Sequence, residues 1–368
     1  MPAHTTILQI LKQMPDGWGK PISPCPIHPS SCFLPPCRRR LLYERRLGWH
    51  KVRWRRALDI GSVFHDYMAL CFTKPEEDIQ RLKDAVMLSA FERIDRLAEE
   101  YPIEFQEREI EQARRDVILA LTMGQIFLNM YPVNPAWQPL LVEQTIKADI
   151  SRLTNVEPTI LLGTPDIVIK DTEKNEVWIV DYKTTSQRPA EITSTLVFDS
   201  QCILYKFLWD ATPLARKHGK AVGFIHCIIQ KPTIRPRRGE TFEDYLNRCI
   251  HDFYDIQMLR TPHSSPIMRS FVRLSRPSLS KDDELITQLH DIALWHTKPI
   301  SLAGFPRLGN RFAGCIRNGR RCPYTDFCLN SPRVWYDLLI SGGFEKHNPY
   351  QEGENKKILE VHPNFDEL

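Results

Sequence analysis

Apolar positions along the chain change their period more than once. From about Asp59 to Met130 they recur at three- and four-residue intervals among abundant Glu, Arg, Leu and Ala, with a break at Pro102. That pattern predicts a helical subdomain carrying His65 near its start. After Pro139 the texture turns to alternation and β-branched runs. LLVEQTIKADI (140–150) reads as one strand, and LLGTPDIVIK (161–170) with EVWIVDYKTT (176–185) reads as a hairpin about the polar turn Asp171–Asn175. Helical spacing returns over Phe198–His218, a further buried strand is predicted at AVGFIHCIIQ (221–230), and amphipathic helices are predicted at Glu240–Leu259 and around 281–296. Residues from about Glu345 onward are polar and expected to be loose. The order strand, hairpin, helix, strand predicts an α/β core with helical additions, and no internal repeat is visible.

Composition narrows the functional classes. The 368 residues are 42% hydrophobic and 26% charged, an ordinary globular balance, with a net charge of only +4. Any basic surface must therefore come from clustering. No apolar run approaches the roughly 18 residues of a membrane span, Val117–Met123 being the densest stretch. The first residues lack a basic segment leading an apolar one, so a cytoplasmic protein with no membrane partner is expected. With 16 Gly against 28 Pro, and neither a Walker A pattern nor GxGxxG, nucleotide-driven and dinucleotide chemistry are disfavoured. The 10 cysteines read as thiols or metal ligands, not a disulfide framework. Cys25, Cys32 and Cys37 crowd one end, Cys315, Cys322 and Cys328 the other, while Cys71, Cys202, Cys227 and Cys249 sit singly in apolar stretches as core residues.

The predicted hairpin carries the most informative chemistry. Asp181 and Lys183 are two apart on a strand and so share a face, with Tyr182 pointing away. A neighbouring strand can bring Asp166 alongside. Two carboxylates at one point make an oxygen-rich site for a hard cation such as Mg²⁺. A lysine beside them can orient water or stabilise charge on an attacked phosphate. A solvated surface Lys–Asp pair is the plainer alternative, against which stand the apolar residues Trp178, Ile179 and Val180 just before Asp181.

GTPD (163–166) followed by VDYKTT (180–185) resembles the PD-(D/E)XK nuclease superfamily, in particular its RecB-like, CRISPR-associated-type exonuclease branch, which has phage-encoded relatives. GSVFHDYM (61–68) resembles that branch's upstream histidine helix, and SQCILYKF (200–207) its Q-x-x-x-Y helix. Cys322-Pro-Tyr-x-x-x-Cys328 resembles part of a four-cysteine iron–sulphur site. The resemblance implies a restriction-endonuclease-like α/β core, a mixed sheet flanked by helices, with a helical insertion and a helical C-terminal region. It divides the chain into a basic segment with a cluster cysteine (1–60), a helical subdomain (61–135), a nuclease core (136–232), a helical region with cysteines (233–344) and a polar tail (345–368).

It further implies Mg²⁺ or Mn²⁺ held by His65, Asp166, Asp181 and the Tyr182 carbonyl, with catalytic Asp166, Asp181, Lys183, Gln201 and Tyr205. Gln201 and Tyr205 lie one turn apart and would contact the substrate strand or hold Lys183. A hydrogen-bonded core role for His65, plain packing for Gln201 and Tyr205, and an edge salt bridge for Glu143 are the alternatives, the last residue being otherwise an additional carboxylate. By the same resemblance Cys37, Cys315, Cys322 and Cys328 would hold a 4Fe–4S cluster, or Zn²⁺, with Cys32 and then Cys25 as substitutes for Cys37. The spacing Cys315-x6-Cys322-x5-Cys328 departs from the paired cysteines of a zinc ribbon.

The stretch 38–56 holds nine Arg or Lys residues against Glu44 alone, interleaved with Tyr43, Trp49 and Trp54. It reads as a strand-binding surface in which cations meet phosphates and rings stack on bases, or as a solvated helix face. The expected activity is a metal-dependent deoxyribonuclease acting on single-stranded or free-ended DNA in recombination, repair or phage DNA processing, with a possible helicase or recombination partner. A non-cleaving or partner-dependent single-strand-binding subunit is the competing reading.

Overall fold

Trp178, Ile179 and Val180 lie at the centre of a five-stranded mixed sheet. It belongs to a computed structural model that describes residues 7–29, 37–52, 56–193, 196, 199–255, 265–274, 284–300, 305, 316–317, 320–348 and 358–363. The chain divides into two compact units, one formed by Met1–Arg53, Lys147–Leu162 and Leu279–Leu368, the other by Trp54–Ile146 and Gly163–Ser278.

The second unit is the α/β core. Its helices α1 (Arg56–Thr73), α2 (Ile79–Glu100) and α3 (Glu107–Met130) precede a sheet of β1 (Trp137–Val142), β2 (Ile167–Asp171), β3 (Glu176–Thr185), β4 (Ala221–Gln230) and β5 (Ile267–Arg273), in that spatial order. β1–β2, β2–β3 and β4–β5 pair antiparallel, and β3–β4 pair parallel. A parallel pair needs a crossover, which contains helix α4 (Ser200–Asp210). The central strands are apolar runs because both their faces are covered. One face, with Val180, Tyr182, Ile225 and Cys227, packs on Phe64 and Tyr67 of α1 and Phe127 of α3. The two helices approach closely at Gly124, where a Cβ would run into the Tyr67 ring. Among the described residues no helix is long and apolar enough to cross a membrane.

Two expected strands are each broken in two. The run 140–150 divides because Glu143 adopts φ 45°, a left-handed conformation that no strand continues through. Trp137–Val142 joins the five-stranded sheet, and Ile146–Asp149 joins a three-stranded one with Ile160–Gly163 and Leu359–Val361. The run 161–170 breaks at Thr164-Pro165, where proline has no amide to donate.

The first unit is built on an aromatic core. Tyr43 stacks on Trp49 at 5.6 Å, and Tyr324, Phe327, Trp335 and Phe344 close around them. The segment expected to be loose instead begins with a strand, Phe344–Lys346, paired with Trp49–Lys51. Tyr43 and Trp49 are fully buried, so neither ring is available to stack on a base. Arg39 is buried and donates to the Phe305 carbonyl (2.7 Å), while buried Arg46 donates to those of His296 and Lys298. These side chains serve packing and carbonyl pairing, which corrects the stacking surface expected there. Trp54 lies outside the described residues.

Candidate active site

Strand alternation places Asp181 and Lys183 on the face covered by α4, while Tyr182 turns into the core toward α1. Lys183 Nζ sits 3.2 Å from Asp181 Oδ2 and 3.7 Å from Asp199 Oδ2, and donates to Gln201 Oε1 at 3.2 Å. Asp199 caps α4 through the Gln201 amide (2.9 Å). Gln201 Nε2 then donates to the Tyr205 hydroxyl at 3.1 Å, across one helical turn. Burial works against the Lys183 charge, but Asp181 and Asp199 outweigh it and hold the ammonium above the ordinary lysine range. At neutral pH Lys183 is therefore a cation and a donor, suited to orienting water or countering charge and not to accepting a proton.

Asp181 is 5% exposed. Its Oδ2 also meets His226 Nδ1 at 3.0 Å, from the residue directly opposite on the parallel strand β4. A carboxylate can only accept, so this ring nitrogen carries the proton. Burial would raise the Asp181 carboxyl, yet Lys183 and His226 together hold it below the usual range. His226 Nε2 lies 3.8 Å from Cys202 Sγ, and burial pushes that thiol up, so it stays protonated.

Asp166 lies at the mouth of the hairpin. Its Oδ2 accepts from the Tyr182 amide (2.7 Å), and its Oδ1 faces His65 Nδ1 at 3.3 Å. The strained turn at Glu143 brings a third side chain in, its amide donating to the Asp166 carbonyl at 2.8 Å. His65, Glu143 and Asp166 offer ligand atoms within 4.8 Å of one another, the one such group of three His, Cys, Asp or Glu among the described residues. The two carboxylates are hard oxygen donors of the kind that Mg²⁺ and Mn²⁺ take, and the imidazole adds a borderline nitrogen donor. Burial disfavours a charged His65, but Asp166, Glu143 and Asp181 outweigh it and push the imidazole up to about 9.

A family model described as the PD-(D/E)XK nuclease superfamily matches residues 34–329. The chain belongs to that superfamily. Pro165-Asp166 and Asp181-Tyr182-Lys183 stand at its name-giving motif, and the five-stranded mixed sheet flanked by helices agrees with a restriction-endonuclease-like fold. No curated protein matches the chain.

Of the residues singled out from the sequence, the structure brings His65 together with Asp166, and Asp181 together with Lys183, Gln201 and Tyr205. Asp181 is engaged by Lys183 and His226 and stands outside the His65–Glu143–Asp166 group. Cys322 and Cys328 pack against the aromatic core of the first unit, and Cys37 begins the short helix Arg38–Leu41. Burial raises the Cys328 thiol against the opposing effect of Tyr43 and Arg39. The described Cys37, Cys322 and Cys328 do not bring three ligand atoms within 4.8 Å of one another. Cys315 and Cys32 lie outside the described residues. Cys25 is buried, 3.4 Å from the Arg45 carbonyl. His226 and Asp199 were not visible as site residues. A single histidine inside the apolar run 221–230 was the available signal for the first, and the N-cap position ahead of Gln201 for the second.

Proposed function

We propose that this nuclease is a Mg²⁺- or Mn²⁺-dependent deoxyribonuclease that hydrolyses single-stranded or free-ended DNA as a RecB-like exonuclease. The observation that carries the reading is the His65–Glu143–Asp166 group, whose Asp166 lies at the mouth of the hairpin that carries a buried, charge-paired Asp181–Lys183. His65, Glu143 and Asp166 would hold the divalent ion, with Asp181 and the Tyr182 carbonyl completing the set. Such an ion supplies Lewis-acid polarisation of the phosphate and lowers the pKa of a bound water. Lys183 donates to the attacking water or to a non-bridging phosphate oxygen. Gln201 fixes the ammonium, and Tyr205 fixes Gln201.

The cysteine spacing and the family resemblance support a 4Fe–4S cluster, or zinc, that Cys37, Cys315, Cys322 and Cys328 would hold. Thiolates in a part-buried aromatic setting suit either. The role would be structural, in an enzyme of cytoplasmic DNA recombination or repair with a helicase partner in trans.

Cleavage of end-labelled linear single-stranded DNA by anaerobically purified protein tests the reading, with Mn²⁺ or EDTA and with Lys183→Ala alongside. Metal-dependent shortening lost in the variant supports it, and the product ladder gives polarity. Strand binding without cleavage in either protein would overturn it in favour of a non-cleaving subunit.

A further inference from the structure

β4 ends at Gln230, beside the end of the strand that carries Lys183. The next residue, Lys231, donates its amide to the Thr185 carbonyl at 2.6 Å, and Gln230 Nε2 donates to the Ser186 carbonyl at 3.2 Å. The segment that leaves this point, KPTIRPRRGE (231–240), carries Arg235, Arg237 and Arg238, all exposed.

It has no helix or strand of its own, yet it is firmly held. Ile234 packs against the main core. The Ile234 carbonyl accepts from the Tyr245 hydroxyl at 3.3 Å, and the Arg235 carbonyl from Arg248 Nη2 at 2.8 Å. The same guanidinium holds Glu240 through Nε and Nη2, both at 2.8 Å, and Glu240 in turn accepts from the Arg237 amide at 2.7 Å. Tyr245 and Arg248 both lie on helix α5 (Phe242–Arg248). The loop is closed at Gly239, whose φ of 77° favours glycine.

Glu240, the carboxylate bonded to this loop, is thus committed to Arg248 and to a backbone amide. None of the three exposed guanidinium groups makes an ion pair with a described residue. Cations on a fixed backbone that leave their own acids occupied elsewhere suit an external polyanion, since they lose little freedom on binding it.

We propose that Arg235, Arg237 and Arg238 form a rigid phosphate-binding loop that grips the backbone of the DNA strand entering beside Lys183. This rests on the nuclease reading and assigns its substrate-binding surface. The shared chemistry is phosphate pairing, without base recognition.

The test is fluorescence anisotropy of a labelled oligodeoxythymidylate in EDTA across a salt series, with wild type, the triple Arg→Ala variant and the triple Arg→Lys variant. Cleavage with Mn²⁺ is followed in parallel. Three lost phosphate contacts on a single strand lower the slope of log K against log salt by about 2, which is about fifty-fold weaker binding near 0.15 M salt. The lysine variant keeps the slope. Wild-type slope in the alanine variant, with binding and cleavage by wild type intact, would overturn the loop and leave the nuclease reading standing. Loss of slope in both variants would overturn it too, since charge was preserved in one. Wild type that neither binds nor cuts a strand would overturn the nuclease reading and the loop with it.

Discussion

His226 offers the sharpest test of how the site is held. Its Nδ1–H is one of two described donors on a carboxylate that is 5% exposed, so its removal strips a buried acceptor of one of them. A hydrogen bond to a charged, buried acceptor is worth about 1.5–3 kcal/mol. At 1.36 kcal/mol per decade this is about 10- to 100-fold, the range seen when a residue that orients a metal ligand is lost. We expect His226→Ala to weaken Mn²⁺ affinity and single-turnover cleavage by that factor, measured by titration calorimetry and by quenched-flow on end-labelled DNA. His226→Asn carries an amide nitrogen near the Nδ1 position and should recover most of both. A purely packing role predicts that both variants lose stability and that asparagine restores neither affinity nor rate by its amide. Wild-type affinity and rate in His226→Ala would refute the reasoning.

Further expectations concern both units. Gly124→Ala drives a methyl into the buried Tyr67 ring, and we expect about 1–3 kcal/mol of destabilisation and a fall of several degrees in the calorimetric melting temperature. His296 is buried, and burial together with Arg45 and Arg46 lowers its pKa from 6.5 to about 3. Its folded pKa lies below the unfolded one, so stability is complete above pH 6.5 and is lost as pH falls from 6.5 toward 3. This costs about 2 kcal/mol by pH 5. His296→Gln should flatten that acid slope in urea titrations run between pH 7.5 and 5. Cys328→Ser should abolish visible charge-transfer absorbance and bound iron and sulphide in anaerobically purified protein, whereas a colourless wild type containing zinc would favour the other metal.

The parts of the site set by local periodicity were legible. Alternation put Asp181 and Lys183 on one face, and one helical turn put Gln201 beside Tyr205. Long-range pairing was not. No local pattern tells that β3 and β4 run parallel with Asp181 opposite His226, because a histidine in an apolar strand looks like core until its partner strand is known. Glu143 was obscured for a different reason. Its φ of 45° cannot be read from a run that alternates on both sides of it, so one strand was expected where two were found. The aromatics of 38–56 misled because charge clustering was visible and burial was not. Tyr43 and Trp49 are covered by Tyr324, Phe327 and Trp335, nearly three hundred residues away along the chain. The arginines of 231–240 are illegible for the converse reason, since a short basic run between two predicted elements has no period at all.

The left-handed turn at Glu143 also bears on how such a chain could diversify. Glu143 and Thr145 precede the segment Lys147–Leu162, and Thr164 and Asp166 follow it. The Glu143 amide is bonded to the Asp166 carbonyl, and the Thr145 and Thr164 hydroxyls meet at 2.8 Å. The segment thus leaves and re-enters through a stitched neck. The segment is itself structured, with Ile150, Leu153, Thr154 and Thr159 buried, so its freedom to vary lies at its exposed positions. Drift at the exposed positions Arg152 and Glu157 can proceed while the two carboxylates stay in register, and a library confined to those positions would vary a surface on an undisturbed catalytic frame.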